Sequence, residues 1–339
     1  MDNIVISKYG KDCYNAGPKA KVDIENILKQ RFKFKSKCFN EPNKFGKIKY
    51  KLMVLKQIIY VKTHKFNICF FQLPFSKNVI KRTKAKIKIG IVHDINGLRY
   101  QKNDVLANEL ESIKMLDYII VHNSRMKEYL CNLGVKEEKL IILGIFDYLS
   151  NMSEDKKSNG RVDNLQIVYA GNLLREKSPF LYQLDDNKMN FSINLYGKGI
   201  EKSISENLIY KGAFKPDKLN LIEGNIGLVW DGNFDESDEK ISFKNYTKYN
   251  NPHKISCYIA AGLPVIVWSK SAVADFVEDN NIGYIINNIY DINSLDFSDY
   301  DVKKQNLDVI SQKVKEGFFI SQAVNKILKD DAKNLMNDN

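Results

Sequence analysis

Apolar residues recur along this chain in short blocks whose period alternates between that of a strand and that of a helix. In the first half, Ile4–Ser7 is a short apolar strand, and Val22, Ile24, Ile27, Leu28 and Phe32 then recur at roughly helical spacing. Phe34, Ser36 and Cys38 alternate with Lys35 and Lys37, as in a half-buried strand. Phe45, Ile48, Leu52, Leu55 and Ile59 form one apolar helix stripe, with Lys44, Lys47, Lys49, Lys51 and Lys56 mostly beside it. Phe66–Phe71, Ile87–Val92 and Tyr118–Val121 are β-branched or aromatic runs, the mark of buried parallel strands. A helix is predicted near Asn103–Met115. Another runs from about Ser124 and stops before Gly134, a C′ glycine.

Residues 150–164 hold few apolar side chains, and the alternation restarts after them. It predicts strands at Gln166–Tyr169, Phe191–Leu195, Leu208–Tyr210, Ile226–Trp230, Pro264–Trp268 and Ile282–Ile286. Helices are predicted from about Ser178, from Pro216, over Lys254–Ala261 and Ala272–Val277, and along the tail Asp301–Ala332. Repeated βα units give an α/β class with doubly wound parallel sheets. The expected domains are 1–150, a linker over 151–164, 165–318, and a helical tail over 319–339. Two such lobes predict a cleft lined by strand C-terminal ends.

Length and composition add bounds. At about 100–200 residues per domain, 339 residues favour two domains. A hydrophobic share of 44% excludes a disordered chain. No apolar run approaches the roughly 18 residues of a spanning helix. The opening residues, MDNIVISKYG, lack a long apolar core and a small-residue cleavage site, which points away from secretion. Five cysteines with no C-x-x-C pair argue against a zinc knuckle or a disulfide framework and fit a reducing cytoplasm.

The net charge of +11 is unevenly spread. Residues 1–150 hold 29 Lys/Arg against 14 Asp/Glu, and residues 151–339 hold 23 against 27. The basic clusters at Arg31–Lys37, Lys44–Lys56 and Lys77–Lys88 suit an anionic membrane surface. Solvated helix faces are the plainer reading of the same lysines. Nucleic acid is disfavoured, because no zinc-finger spacing, RNP-type motif or basic zipper occurs.

Several segments carry chemistry. Ala170-Gly171-Asn172-Leu173-Leu174-Arg175-Glu176-Lys177 follows the first strand of the second lobe and is expected to open a helix. A glycine there lets backbone N–H groups approach an anion, and Arg175 can grip a phosphate. The alternative is an ordinary turn with exposed basic residues. It is neither a Walker loop nor G-x-G-x-x-G, which weakens ATPase and dehydrogenase readings. Next, Tyr249-Asn250-Asn251-Pro252-His253-Lys254 starts a helix that ends at Gly262. A cation at a helix N-terminus is disfavoured without an anion, so Lys254 points to a phosphate. His253 is either a ligand-site residue or a capping or core histidine.

Ile91-Val92-His93-Asp94-Ile95-Asn96-Gly97 lies at a strand end. Asp94 is a candidate general base and His93 a hydroxyl or phosphate contact; the plain readings are a helix-capping Asp and a core His. Asn15, Gly17 and Lys19 form a turn after the first strand. Tyr210 and Phe214 either stack on a base or pack in the core. Asp231 and Gly232 lead into a polar loop, Asn233–Asn250, long enough for a lid. Asp185-Asp186 reads as solvated, and no acidic triad is placed as a metal site, so neither a metal nor another cofactor is expected.

Taken together, AGNLLREK, IGLVWDG, YNNPHKISCYIAAGLPVIVWSKSAVADFV and IVHDINGLR resemble one family of bacterial GT-B glycosyltransferases. That family includes β-1,6-galactofuranosyltransferases of surface polysaccharides and glucosyltransferases that extend the first sugar on serine-rich adhesins. The resemblance implies two Rossmann-like domains, the first binding a glycan acceptor and the second a UDP-sugar. It puts Arg175 and Lys254 on the diphosphate and Phe214 by the nucleotide. The residue readings above complete the expected donor set with Gly171, Asn172, Tyr210, Asp231, Asn251 and His253, and assign the acceptor to Asn15, Gly17 and Lys19 and catalysis to Asp94 and His93. Phe214 stands where some relatives have tyrosine. The E-x7-E pattern of many retaining GT-B enzymes falls here on Tyr249 and Cys257, so inversion is implied. The implied activity is transfer of a hexose, galactofuranose before glucose, to a lipid-linked or protein-linked surface glycan. The implied location is the cytoplasm, peripheral at the inner membrane face, with a homo-oligomer open. A non-catalytic partner of another transferase is the rival.

Overall fold

The computed structural model describes residues 1–9, 16–41, 46–150, 165–201, 204–233 and 242–337. Asn15, Phe45 and the expected linker lie outside them. The chain divides into two compact units. One takes in the opening strand, residues 17–146 and everything from Gly317 on; the other runs Asp147–Glu316.

The first unit contains β1 (Asp2–Tyr9), α1 (Ala16–Phe32), β2 (Lys35–Asn40), α2 (Lys47–Thr63), β3 (Lys65–Gln72), α3 (Lys77–Arg82), β4 (Lys84–Ile91), α4 (Asn96–Arg99), α5 (Asn103–Lys114), β5 (Tyr118–Val121), α6 (Ser124–Asn132) and β6 (Leu140–Ile142). Its sheet has the order β2-β1-β3-β4-β5-β6, and every pairing is parallel. Strand β1 sends the chain outward to β2, and the chain then returns to β3 on the other side. That reversal opens a crevice beyond the carboxyl ends of β1 and β3, where ligands bind in such sheets. Helix α6 ends as its glycine predicts: Gly134 has φ +79, its N–H donates to Cys131 O, and Val135 N–H reaches back to Leu130 O.

The second unit contains β7 (Gln166–Asn172), β8 (Ser192–Lys198), β9 (Leu208–Gly212), β10 (Ile226–Val229), α7 (Ser242–Tyr246), α8 (His253–Ala260), β11 (Val265–Trp268), α9 (Val273–Asp279), β12 (Gly283–Ile286) and α10 (Tyr300–Glu316). The order β12-β11-β10-β7-β8-β9, again wholly parallel, puts the reversal between β7 and β10. Helix α11 (Phe318–Asn337) returns to the first unit, burying Phe319, Ile320, Ala323, Val324 and Ile327. No helix among the described residues is long and apolar enough to cross a membrane.

Three expectations change. The helices predicted from Ser178 and Pro216 are single 3-10 turns, Pro179–Tyr182 and Leu219–Leu221. In the first, local side chains take over the backbone: Ser178 Oγ donates to Asn172 O, Tyr182 OH donates to Leu173 O, and Asn172 Oδ1 accepts from Leu174 N. The dipole argument for the Gly171–Lys177 turn therefore falls. The tail is two helices, broken at Gly317, where φ is +76 and an added Cβ would lie 2.6 Å from Ile27. Finally, Asp186 is not merely solvated. It accepts hydrogen bonds from Ser205 Oγ and from the N–H groups of Glu206 and Asn207, which hold its carboxyl below the usual range, chiefly through Ser205.

Candidate active site

In the second unit, α8 is bolted to the sheet through Tyr258. Its ring covers Gly227 of β10 so closely that a Cβ there would lie 2.3 Å away, and its hydroxyl accepts from Ala170 N in β7 at 2.7 Å. One turn earlier, Pro252 caps the helix with an extended backbone, and Lys254 falls in the first turn. The ammonium is thereby set at the reversal between β7 and β10. It donates to Trp230 O at 2.8 Å, Asp231 Oδ1 at 2.8 Å and Tyr169 OH at 3.2 Å. An ammonium has three protons, so all are engaged.

The bonding beyond has one direction. Ser178 Oγ gives its proton to Asn172 O, so Tyr169 OH donates to Ser178 and accepts from Lys254. Burial works to lower the Lys254 pKa, but the Asp231 carboxylate and Tyr169 outweigh it, and the net shift is upward. Burial pushes the Tyr169 phenol up as well. The site thus holds a charged ammonium beside a carboxylate, with Tyr169 neutral. Asp231 supplies the anion that a cation at a helix N-terminus requires.

Gly171 adjoins this cluster. An added Cβ would lie 3.6 Å from Tyr169 OH and 3.8 Å from Lys254 Nζ, which is ordinary contact. Gly197 faces it across β7 and β8 with φ +148, and there a Cβ would lie 1.8 Å from Gly171 O. Only glycine fits at 197, a constraint absent from the sequence reading.

Arg175 is not in the Lys254 cluster. Its Nε donates to Glu201 at 2.9 Å, and its guanidinium lies 4.3 Å from the Tyr182 ring centre. Half its side chain is exposed. Asn172 is exposed at the end of β7. Tyr210 is half exposed and donates to Gly197 O at 3.0 Å, while Phe214 sets its ring edge-on to Tyr196. His253 stacks on Tyr148 with ring centres 5.1 Å apart, and Asn251 is buried. The polar loop after Asp231 is described only in part: residues 234–241 lie outside the described set, and α7 follows. Buried Lys244 sits 4.7 and 4.8 Å from the ring centres of Trp230 and Trp268. Spacing gave no signal for it.

In the first unit the crevice holds a second polar cluster. Gln72, wholly buried at the end of β3, donates from Nε2 to Ser7 Oγ at 2.8 Å and to Lys21 O at 2.9 Å. A carbonyl accepts only, so the amide orientation is fixed. Its Oε1 then faces His93 Nε2 at 2.9 Å, and that nitrogen carries the proton. The ring also stacks on Phe146. Gln72 was missed because it closes an apolar run. Asp94 pairs with Arg99 at 2.9 Å. The cap of α4 belongs instead to Glu109, which accepts from Asn96 N and Gly97 N. Lys19 is held by both Asp23 oxygens, at 2.6 and 2.7 Å, and Gly17 lies in the first turn of α1. Among the described residues, no group of three or more His, Cys, Asp and Glu is placed to hold a metal ion.

Comparison with known proteins matches residues 2–145 to the glucosyltransferase 3-like N-terminal domain and 167–327 to the glucosyltransferase 3-like C-terminal domain. The β-1,6-galactofuranosyltransferase WbbI of Escherichia coli K12 is 32% identical over 252 residues, 71% of either chain. Glucosyltransferase 3 of Streptococcus gordonii is 25% identical over 251 residues, 71% of this chain and 70% of that one. Among solved structures, Anabaena Alr3699/HepE in complex with UDP-glucose superposes with a TM-score of 0.61 at 11% identity, covering 97% of this chain and 99% of that one. The lipopolysaccharide outer core galactosyltransferase WaaB, in its apo form, gives 0.62 at 11% over 97% and 99%. The shared architecture is the GT-B fold.

Proposed function

The chain belongs to the glucosyltransferase 3-like family, and we propose that it transfers a hexose from a UDP-sugar to a surface-glycan acceptor, with inversion at C1 and without a metal. Galactofuranose is the favoured sugar and glucose the next. This follows the activities for which the relatives are named and the YNNPHK and VIVWSK segments. The observation that carries the reading is the Lys254 ammonium at the β7/β10 reversal, where such sheets bind nucleotides.

In this reading the second unit holds the donor. Lys254 and Arg175 take the diphosphate, with the backbone at Gly171 and Asn172. Tyr210 and Phe214 flank the uracil, Asn251 and His253 complete the set, and Asp231 holds Lys254 in place. Asn15, Gly17 and Lys19 serve the acceptor. The acceptor hydroxyl attacks C1 while the bond from C1 to the phosphate oxygen breaks. The electron pair leaves with UDP, and the two cations meet that charge. The hydroxyl proton needs a base. Asp94 pairs with Arg99, and Gln72 orients the His93 ring through Nε2, so His93 is taken as the base and Asp94 as its charged neighbour.

One observation favours the rival reading of a non-catalytic partner: every proton of Lys254 is already bonded within the protein. A donor screen separates the two. Purified protein is given UDP-galactofuranose, UDP-glucose, UDP-galactose and UDP-N-acetylglucosamine, with and without a chelator. A melting shift with UDP and chelator-insensitive hydrolysis of one donor are expected. No shift with any nucleotide overturns the enzyme reading.

A further inference from the structure

Helix α2 turns its apolar stripe to the solvent. Ile48, Leu52, Leu55 and Ile59 are 75%, 52%, 51% and 53% exposed, and the face packed inward is instead Met53, Gln57 and Val61. Single exposed apolar side chains are common, but four in one continuous row are not. The 17-residue helix carries five lysines and no acidic residue. At about 100° per residue, Lys49 and Lys56 lie along one margin of the row, and Lys51 and Lys62 along the other. All four are exposed. Lys37 of the neighbouring strand β2 adds a cation 5.2 Å from the Tyr60 ring centre of α2.

We infer that α2 is a membrane-docking helix that lies in the plane of an anionic bilayer. Its apolar row would enter the headgroup boundary while the flanking lysines extend to lipid phosphates. Charge decides between occupants. A second copy docked through the same face would oppose two lysine-only helices, and like charges across a contact disfavour it. An anionic lipid surface supplies the missing countercharge along both margins. This inference is independent of the donor site and is tested without any sugar.

The test is co-sedimentation of the full chain with phosphatidylcholine vesicles, with and without phosphatidylglycerol. Binding to phosphatidylglycerol vesicles that falls with salt is expected, with little binding to phosphatidylcholine alone. Leu52→Glu/Leu55→Glu alters only exposed positions and should weaken binding at least tenfold while leaving the melting temperature in place. Lys49→Gln/Lys56→Gln should weaken it less and reduce the salt dependence. Failure of the unaltered protein to bind, or equal binding by the Leu52/Leu55 variant, overturns the inference. So does a dimer in light scattering that the same variant dissociates, since a second copy then covers the row.

Discussion

Lys254 and Asp231 meet at 2.8 Å where β7 and β10 part, and the pair is partly open to solvent, with 12% of the lysine side chain and 29% of the aspartate exposed. The carboxylate keeps a largely buried ammonium charged before any ligand arrives.

The first prediction follows from that pairing. Lys254→Ala leaves Asp231 without its cation and Tyr169 without a donor. It should destabilise the second unit by about 1–3 kcal/mol, less than for a sealed pair, because water reaches Asp231. It should also abolish the melting shift with UDP. Asp231→Asn should lower the melting temperature of the free protein but enlarge the UDP shift, because the diphosphate then becomes the countercharge. A smaller shift in Asp231→Asn would mean that the carboxylate itself holds the donor.

Gln72 gives a prediction about proton transfer. Gln72→Met removes the acceptor that sets the His93 tautomer, and kcat should fall about 10–100-fold with little change in the KM for donor. Gln72→Glu places a carboxylate beside the ring, which should move the acidic limb of the kcat/KM profile to higher pH. An unmoved limb would return the role of base to Asp94.

Two glycines at one strand pair should behave differently. Gly197→Ala combines a φ of +148 with a 1.8 Å overlap on Gly171 O, and loss of the folded second unit is expected in circular dichroism. Gly171→Ala meets only ordinary contacts and should melt within about 1 kcal/mol of the unaltered protein. If backbone at 171 approaches the diphosphate, UDP binding in Gly171→Ala weakens all the same.

His122 sets a pH dependence. Burial, partly offset by its bond to Val92 O, lowers its pKa to about 4. The unfolded ring titrates near 6.5, so between those values the unfolded chain binds more protons. Stability is therefore full above about pH 6.5 and declines as pH falls toward 4, by about 3 kcal/mol at most. Urea unfolding of the first unit at pH 7 and pH 4.5 checks this, and His122→Gln should flatten the slope.

The sequence made the strands legible because a parallel sheet covered on both faces demands near-continuous apolar runs, as in Phe66–Phe71, interrupted only at Asn67, and Tyr118–Val121. Lys254 was legible because its charge opposes its place at a helix start. Its partner was not: Asp231 lies 23 residues away, and only the packing of α8 on β10, with Tyr258 over Gly227, brings them together. Arg175 looked equivalent to Lys254 by charge, yet Glu201 and Tyr182 claim it through a loop whose course depends on Ser178 and Tyr182 hydrogen bonds. Periodicity also identified the stripe of α2. It does not say whether a stripe is covered, and this one is not.

The return of the chain at Gly317 bears on how the protein is made. The first unit lacks α11 until residues 318–337 have been made, so a nascent chain holds an unfinished β6 edge while the entire second unit is synthesised. Phe319, Ile320, Val324 and Ile327, at about 1.5–3 kcal/mol each, together approach the whole net stability of a typical domain. A fragment stopping near residue 150 should therefore aggregate, and a workable dissection keeps the last helix by fusing it to the first unit.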